Sequence, residues 1–170
     1  GNMVAWAEAA RVLESIGGVN DGRGTFTFDY WPGEVLDEII TSGCIPDHKS
    51  HQFYPTPESL AKRAVELADI DVGHTCLEPS AGTGGLAKFM PKEATVCVEV
   101  SSLHHNILTA LGFHTVQADF LAWAESNGHP LFDRVVMNPP FSEGRWTAHV
   151  KAAAEMVKPG GRLVSILPAS

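Results

Sequence analysis

The sequence predicts an α/β protein with a doubly wound, mostly parallel β-sheet and helices on both faces. Three observations carry this prediction. A chain of 170 residues with 44% hydrophobic residues has the size and composition of one globular domain. From about residue 52 onward, short apolar runs alternate with segments of helical periodicity, as in successive βαβ units. The run at 135–137 is continuously apolar, which is typical of a parallel strand covered on both faces.

Residues 1–50 are predicted to form a helical extension and a linker. Apolar residues recur at nearly helical spacing from Met3 to Ile16, and a loop rich in Gly, Asn and Asp follows at 20–24. A second short helix is expected from about Pro32 to Ser42, and residues 45–52 have the composition of a linker. The segment is too small for a core of its own, so we expect an extension rather than a separate domain.

Residues 51–170 are predicted to form one domain of alternating strands and helices. Thr56 can cap the first helix and Pro57 suits its first position. Gly112 and the run Lys158-Pro159-Gly160-Gly161 are expected to end later helices. Strands joined by such helices are parallel, with right-handed crossovers. The expected strands are 75–78, 95–100, 114–117, 134–137 and 162–167, and the expected helices are 56–68, 86–90, 103–111, 120–126 and 147–157.

Composition argues against several classes of protein. The longest apolar stretches, such as Leu163 to Leu167, are far too short to span a bilayer, and no secretion signal is visible. No histidine or cysteine spacing matches a metal-ligand set, so we expect no metal site. The three cysteines make no disulfide framework, and we expect a cytoplasmic protein without membrane association. They are Cys44, Cys76 and Cys97.

The net charge of -8 is unfavourable for binding nucleic acid, because phosphate contacts require clustered Lys and Arg. The acidic residues are unevenly distributed. From Pro130 onward, five basic residues stand against three acidic ones. This small excess does not make a DNA-binding face, so part of the grip on a nucleic acid would have to come from elsewhere.

A glycine-rich loop, Glu78-Pro79-Ser80-Ala81-Gly82-Thr83-Gly84, lies between the first strand and the helix expected after it. Glycines there let the backbone approach a ligand and turn sharply. The loop has neither the Lys-Ser/Thr of a phosphate-binding loop nor the spacing of the dinucleotide fingerprint. Glu78 is a poor partner for phosphate and a good one for a cation, so the loop suits a cofactor with an ammonium group and no phosphate.

Two further acidic residues end the next strands. Glu99 follows Glu78 by 21 residues, and in doubly wound folds a carboxylate there accepts hydrogen bonds from ribose hydroxyls. Asp119 precedes Phe120, a pair that suits reading of an adenine amino group with the ring packed on its face. Each also has a purely structural interpretation: Glu99 as a solvated strand-end carboxylate, Asp119 as a helix N-cap.

The segment Asn138-Pro139-Pro140-Phe141 follows the fourth strand, on the side of the sheet where ligands bind. Two prolines lack N–H donors and hold the backbone carbonyls in place. Asn138 Oδ1 and the Pro139 carbonyl could accept both hydrogens of an aromatic amino group, which favours the pyramidal nitrogen needed for attack. Phe141 could stack on the flat substrate. A rigid turn after a strand is the structural alternative.

These segments resemble the superfamily of S-adenosylmethionine-dependent amino-group methyltransferases, which includes the adenine-N6 DNA methyltransferases. The residues from Glu78 to Gly84 are similar to its cofactor loop, and those from Asn138 to Phe141 are similar to its catalytic motif. Phe53-Tyr54-Pro55-Thr56-Pro57 is similar to a family segment whose Thr touches the cofactor carboxylate. The order of the three segments is similar to that of one adenine-N6 subclass. The resemblance covers about residues 52–170.

The resemblance implies a Rossmann-like fold, S-adenosylmethionine as cofactor, and methyl transfer to an exocyclic amino nitrogen, first of all adenine N6 in DNA. It implies that Glu99 holds the ribose, while Asp119 and Phe120 hold the adenine. The catalytic residues it implies are Asn138, Pro139, Pro140 and Phe141. The cofactor-binding residues it implies are Tyr54, Thr56, Glu78, Pro79, Ser80, Ala81, Gly82, Gly84, Glu99, Val100, Asp119, Phe120 and Asn138.

Several alternatives stay open. The same motif resembles that of enzymes acting on guanine N2 in ribosomal RNA or, with Tyr in place of Phe, on a glutamine amide of release factors. The family sheet has seven strands, and only five are predicted here, without the region that reads DNA. We therefore expect a domain shortened at its C-terminus, with target recognition supplied by a missing region or a partner chain. A hypothesis of another class is a non-catalytic, cofactor-binding or remnant subunit of a complex.

Overall fold

Two helices and a small hairpin form the N-terminal segment of the protein, which we describe from a computed structural model. Helix α1 covers Asn2–Ser15. Strands β1 (Val19–Asn20) and β2 (Phe26–Thr27) pair antiparallel on either side of the predicted loop, a hairpin that was not expected from the sequence. Helix α2 covers Gly33–Ser42. The described residues are 2–28, 31–42, 56–141 and 144–167, so the predicted linker at 45–52 lies outside them.

Five parallel strands form the central sheet, and helix α3 (Glu58–Ala68) precedes them. The elements that follow α3 are β3 (Cys76–Pro79), β4 (Thr95–Glu99), α4 (Ser102–Ala110), β5 (His114–Gln117), α5 (Phe120–Ser126), β6 (Phe132–Met137), α6 (Arg145–Glu155) and β7 (Val157–Ser165). The strand order is β5-β4-β3-β6-β7, and every neighbouring pair is parallel. The predicted fold class is confirmed. In the described ranges, no helix has the length and apolarity needed to cross a membrane.

Hydrophobic clusters cover both faces of the sheet. One contains Leu77 and Val135 and packs against α5 and α6. The other contains Cys76 and Val136 and packs against α3. Cys76 and Cys97 are completely buried, and burial raises the pKa of both thiols. Both cysteines are therefore core residues with inert thiols.

The amino ends of β3 and β6 are joined by a polar cluster. Asp133 Oδ2 accepts hydrogen bonds from the Thr75 N–H and hydroxyl, both at 2.8 Å. Lys158 Nζ donates to the same oxygen at 2.9 Å. The backbone N–H of Thr75, Lys158 and the Thr75 hydroxyl together lower the pKa of Asp133 well below its ordinary value. This cluster lies at the opposite end of the strands from the predicted site.

Strand β7 begins earlier than predicted. The prediction places residues 158–161 at the end of a helix and starts the strand at Arg162, whereas β7 already pairs at Val157 with Phe132. Pairing continues between Arg162 and Arg134, so the intervening residues bulge out of the ladder. At Gly161 an added Cβ would lie 2.8 Å from the Asp133 carbonyl oxygen, and only glycine permits this close approach.

Two local predictions are wrong. The helix expected at 86–90 is replaced by 3-10 turns at Ala87–Phe89 and Lys92–Ala94. The glycine-rich loop includes residues that the first turns of this helix would need. Pro91 prevents the helix from continuing beyond Met90. Thr56 does not cap α3: the N-cap residue is Pro57, without a side-chain cap bond. The Thr56 hydroxyl forms a different hydrogen bond, which lies at the candidate site.

Candidate active site

The strand order creates a crevice between β3 and β6. The chain runs outward from β3 through β4 to β5, returns to β6 beside β3, and continues outward to β7. At such a switch point, the loops after the two central strands diverge, and doubly wound proteins bind ligands outside the carboxyl ends of these strands. Glu78 and Pro79 end β3 at this edge, and Asn138 directly follows β6. The two motifs predicted from the sequence therefore border one crevice.

Three buried side-chain atoms at this edge lack a hydrogen-bond partner. They are Glu78 Oε2, Asn138 Oδ1 and Ser165 Oγ, and they are the only buried unpaired side-chain N or O atoms of the described residues. Each lies at or directly after the carboxyl end of a strand: β3, β6 or β7. A buried polar atom without a partner costs about 1–3 kcal/mol, and native structures contain few of them. Their concentration at one edge makes this edge the candidate site for a polar ligand.

Glu78 is a buried acid at this edge. Its side chain is in the protein interior, with the residue only 3% exposed. Burial raises the pKa of Glu78 well above its usual value; the N–H of Ala87 opposes this effect, and the nearby charge of Glu99 adds to it. A cationic ligand group would reverse the shift by favouring the carboxylate. The surroundings of Glu78 therefore fit the ammonium partner predicted from the sequence.

The glycine-rich loop is fastened to the end of β4. The Ala81 N–H donates to the Val98 carbonyl at 3.0 Å, and the Gly82 N–H donates to Glu99 Oε2 at 2.7 Å. Ser80 has a φ of 63°, a left-handed conformation that is uncommon for a residue other than glycine. Gly84 has a φ of 85°, and an added Cβ would lie 3.2 Å from Leu108 Cδ2. The loop is thus a tight turn over the sheet edge.

Glu99 is held by backbone groups on both sides. Its Oε2 accepts from Gly82 and its Oε1 accepts from the Ser101 N–H at 2.8 Å. His104 Nδ1 lies 3.7 Å from Oε1, an ion-pair distance rather than a hydrogen bond. Burial would raise the pKa of Glu99, but His104 and these N–H groups hold it below its ordinary value. An ionised carboxylate has further lone pairs for ribose hydroxyls, and the neighbouring Val100 is 51% exposed.

Asn138 is oriented by Thr56. Asn138 Nδ2 donates to Thr56 Oγ1 at 3.0 Å, while Oδ1 on the other side of the amide is buried and unpaired. Thr56 also lies beside the cofactor loop, because a Cβ on Gly85 would be 3.7 Å from Thr56 Cβ. Thr56 therefore links the loop after β3 with the segment after β6. Tyr54, another predicted contact, lies outside the described residues.

The remaining residues of the motif after β6 line the same edge. Pro139 is buried, and Pro140 and Phe141 are half-buried. Neither proline has an N–H to offer, so the backbone here presents carbonyl groups only. A half-buried aromatic residue three positions after an amide acceptor suits a flat ligand that carries an amino group.

Asp119 and Phe120 lie at the end of β5. Asp119 Oδ1 accepts from the Ala122 N–H at 3.0 Å, so Asp119 is the N-cap of α5, the structural alternative weighed for it. Phe120 is 2% exposed, and its ring belongs to the hydrophobic core. Packing of this ring on an adenine would require it to leave the core. The cofactor role of both residues stays a prediction.

His149, on α6, was not predicted to belong to the site. It is 6% exposed, its ring centroid lies 5.5 Å from that of Phe120, and its Nδ1 lies 3.3 Å from Ser80 Oγ. Burial lowers the pKa of His149. The charge of Asp119 raises this pKa, and the charge of Arg145 lowers it. A lone histidine on a helix gave no sequence signal. Ser165, with its unpaired hydroxyl, gave none either, because strand-end serines are common.

The fold and its crevice define the class. The protein is a Rossmann-like α/β protein with its ligand edge at the switch point of a parallel sheet. Solved structures that share this fold include a coclaurine N-methyltransferase and a glycopeptide N-methyltransferase. No family model and no curated protein matches the sequence.

Three solved structures illustrate the likeness. A "putative RNA methyltransferase" from Pyrococcus horikoshii matches with a TM-score of 0.52 and 26% identity, over 72% of this chain and 69% of that one. A hypothetical protein from Thermus thermophilus matches with a TM-score of 0.53 and 25% identity, over 66% and 73%. TrmN, also from Thermus thermophilus, matches with a TM-score of 0.53 and 21% identity. The match covers 67% of this chain but only 39% of TrmN.

Proposed function

We propose that the protein binds S-adenosylmethionine in the crevice and promotes transfer of its methyl group to an exocyclic amino nitrogen of a nucleic-acid base. Adenine N6 in DNA is the first candidate. The orientation of the Asn138 amide carries this proposal. Its donor side is held by Thr56, and its acceptor oxygen is buried without a partner at the crevice. An acceptor prepared in this way suits a ligand N–H.

The donor set on the other side of the crevice fits S-adenosylmethionine. Glu78 has a buried oxygen without a hydrogen-bond partner. The ammonium group of the cofactor would be that partner. Glu99 is fixed at the end of β4, where a ribose would be held. The loop lacks the Lys-Ser/Thr that a nucleoside triphosphate would need. When bound, S-adenosylmethionine supplies a methyl group on a positively charged sulfur.

The residues after β6 would prepare the acceptor. Asn138 Oδ1 and the Pro139 carbonyl would accept the two hydrogens of the amino group, drawing its lone pair out of the ring and toward the methyl carbon. The amino nitrogen would take the methyl group from the cofactor's sulfur, and its surplus proton would pass to solvent. Phe141 would stack on the base and hold it. No covalent enzyme intermediate is needed.

The choice of adenine N6 in DNA rests on Phe141 and on the segment that contains Thr56, both of which resemble the adenine-N6 enzymes. A second candidate is guanine N2 in RNA. The Pyrococcus horikoshii structure favours RNA as the substrate, because that protein is described as a putative RNA methyltransferase. Its sequence is 26% identical to this chain over the matched region. A glutamine amide of a release factor presents the same planar amino group and belongs in the test as a third acceptor.

Calorimetry with S-adenosylmethionine tests the proposal at its base. We expect one binding site per chain and weaker binding by Glu78→Gln. Transfer of labelled methyl groups to DNA, ribosomal RNA and release factor would then distinguish the three acceptors. Modification of adenine in DNA supports the first candidate, and modification of guanine in RNA supports the second.

A non-catalytic subunit is the alternative of another class, motivated by the net charge of -8. It predicts cofactor binding without transfer to any of the three acceptors. If S-adenosylmethionine does not bind, both the enzyme hypothesis and the hypothesis of a cofactor-binding subunit are wrong. A matched control for both assays is Asn127→Ala, because Asn127 hydrogen-bonds Trp123 and Ser126 at the far end of α5.

A further inference from the structure

The N-terminal segment, residues 2–28 and 31–42, packs on helix α4. Ile16, directly after α1, and Val35, in α2, are 0% and 1% exposed. They form a cluster with Leu103 and Ile107 of α4. Much of α1 is exposed, including Trp6 at 53%. The packing of the segment is therefore concentrated on α4 rather than spread over the domain.

Helix α4 is held between this segment and the sheet. Its Leu108 packs in another cluster with Cys97 of β4 and Ala81 of the cofactor loop. The helix has nine residues, too short to be stable in water without packing on its faces. Loss of contacts on the outer side would therefore loosen the position of α4 over β4.

The N-terminal end of α4 holds one oxygen of the Glu99 carboxylate. The Ser101 N–H donates to Glu99 Oε1 at 2.8 Å, and His104 Nδ1 lies 3.7 Å from the same oxygen. Ser101 Oγ caps the helix by accepting from the His104 N–H at 3.4 Å. Leu103, which contacts the N-terminal segment, is the residue before His104. The contact with the segment and the contact with Glu99 are thus adjacent in one helical turn.

We propose that residues 2–28 and 31–42 form a brace that fixes α4 and, through Ser101 and His104, positions Glu99 for the ribose hydroxyls of S-adenosylmethionine. This inference rests on the proposed function, because it assigns Glu99 to the cofactor. His104 is a positioning residue in this account, since it acts on the ligand through Glu99. The brace assigns a role to a segment outside the three motifs, as a part of the cofactor site.

A double-mutant cycle tests the brace. Val35→Ala should weaken binding of S-adenosylhomocysteine, measured by calorimetry on the full chain, by on the order of fivefold. In a Glu99→Gln background the same substitution should have little further effect, because the ribose contact that it disturbs is already lost. The amides of Ser101 and His104 should exchange with solvent faster in Val35→Ala.

The control separates positioning from general stability. Val65→Ala shortens a partly buried side chain of α3, in a hydrophobic cluster that shares no residue with the brace cluster. It should lower the melting temperature and leave the affinity unchanged. Ile16→Val provides a milder change at the brace if Val35→Ala reduces the folded fraction, and it should weaken binding in the same Glu99-dependent way.

Two results would overturn the inference in distinguishable ways. If the folded brace variants bind S-adenosylhomocysteine as tightly as the unchanged chain, or lose affinity equally with and without Glu99, the brace is wrong and the cofactor site stands. If the unchanged chain binds neither S-adenosylhomocysteine nor S-adenosylmethionine, the proposed function fails, and the brace fails with it.

Discussion

Asn138 Nδ2 donates a hydrogen bond to Thr56 Oγ1 at 3.0 Å, and this bond joins two segments 82 residues apart in the chain. Because the donor side of the amide is occupied, its oxygen is the side left for a ligand. That oxygen is buried and has no partner. The bond gives Thr56 a function that its sequence position, just ahead of a helix, did not suggest.

Thr56→Val should reduce methyl transfer at saturating S-adenosylmethionine by roughly tenfold or more. Valine has nearly the shape of threonine but cannot accept the Asn138 hydrogen bond, so the amide loses its fixed orientation. Thr56→Ser is the matched control, because it retains the hydroxyl, and it should keep most of the activity. Equal rates for the two variants would show that the bond does not position Asn138.

Glu78→Gln should stabilise the ligand-free protein at neutral pH. The native state holds the Glu78 proton up to a higher pH than the unfolded chain does, so wild-type stability falls as pH rises from about 4.3 through the raised pKa of Glu78. Glutamine removes this loss. A gain of about 1 kcal/mol would raise the Tm by roughly 2–4 °C for a chain of this size, as thermal denaturation at several pH values would measure.

The same variant should bind S-adenosylmethionine roughly ten- to a hundredfold more weakly, because a charge-assisted hydrogen bond is worth about 1.5–3 kcal/mol. If Glu78 binds a cationic group of the cofactor, replacing it with glutamine should both stabilise the ligand-free protein and weaken cofactor binding. Glu93→Gln, at an exposed position, should change neither property. A Glu78→Gln variant that is both less stable and equally tight in binding would contradict the assignment.

Asp133→Asn should destabilise the protein at neutral pH, by an amount that shrinks in acid. The pKa of Asp133 is lowered first by the Thr75 N–H and then by Lys158 and the Thr75 hydroxyl. A lowered pKa contributes stability above the unfolded value, about 3.9, and this contribution is lost as pH falls below it. The difference in melting temperature between the two proteins should be constant near neutral pH and should shrink progressively as pH falls from about 3.9 toward the lowered pKa. Asp71→Asn, at an exposed position before β3, should follow the unchanged chain at every pH.

Much of the fold was predictable because its signals are local. Strand β5 and helix α5 lie at the predicted residues, since an apolar run and a helical period each identify one element. The helix expected at 86–90 failed because its local pattern does not reveal how many residues the glycine-rich loop consumes. The early start of β7 depends on pairing with β6, which is a long-range contact.

The candidate site was likewise only partly predictable from the sequence. Glu78 and Asn138 were predicted because each stands in a distinctive motif after a strand, and the strand order brings both motifs to one crevice. The bond from Asn138 to Thr56, the proximity of His149 to Ser80 and the unpaired Ser165 arise from three-dimensional packing. The sequence spacing of these residues does not predict which of them come into contact.

Methyl transfer by Asn138→Ala is the most direct test of the central claim, that the crevice methylates an amino nitrogen prepared by Asn138. Labelled S-adenosylmethionine would be incubated with adenine-containing DNA and with RNA, beside calorimetry of the cofactor and the Asn127→Ala control. We predict that Asn138→Ala retains most of the cofactor affinity and loses transfer by roughly a hundred- to a thousandfold, while Asn127→Ala is unaffected. Undiminished transfer by folded Asn138→Ala would contradict the account.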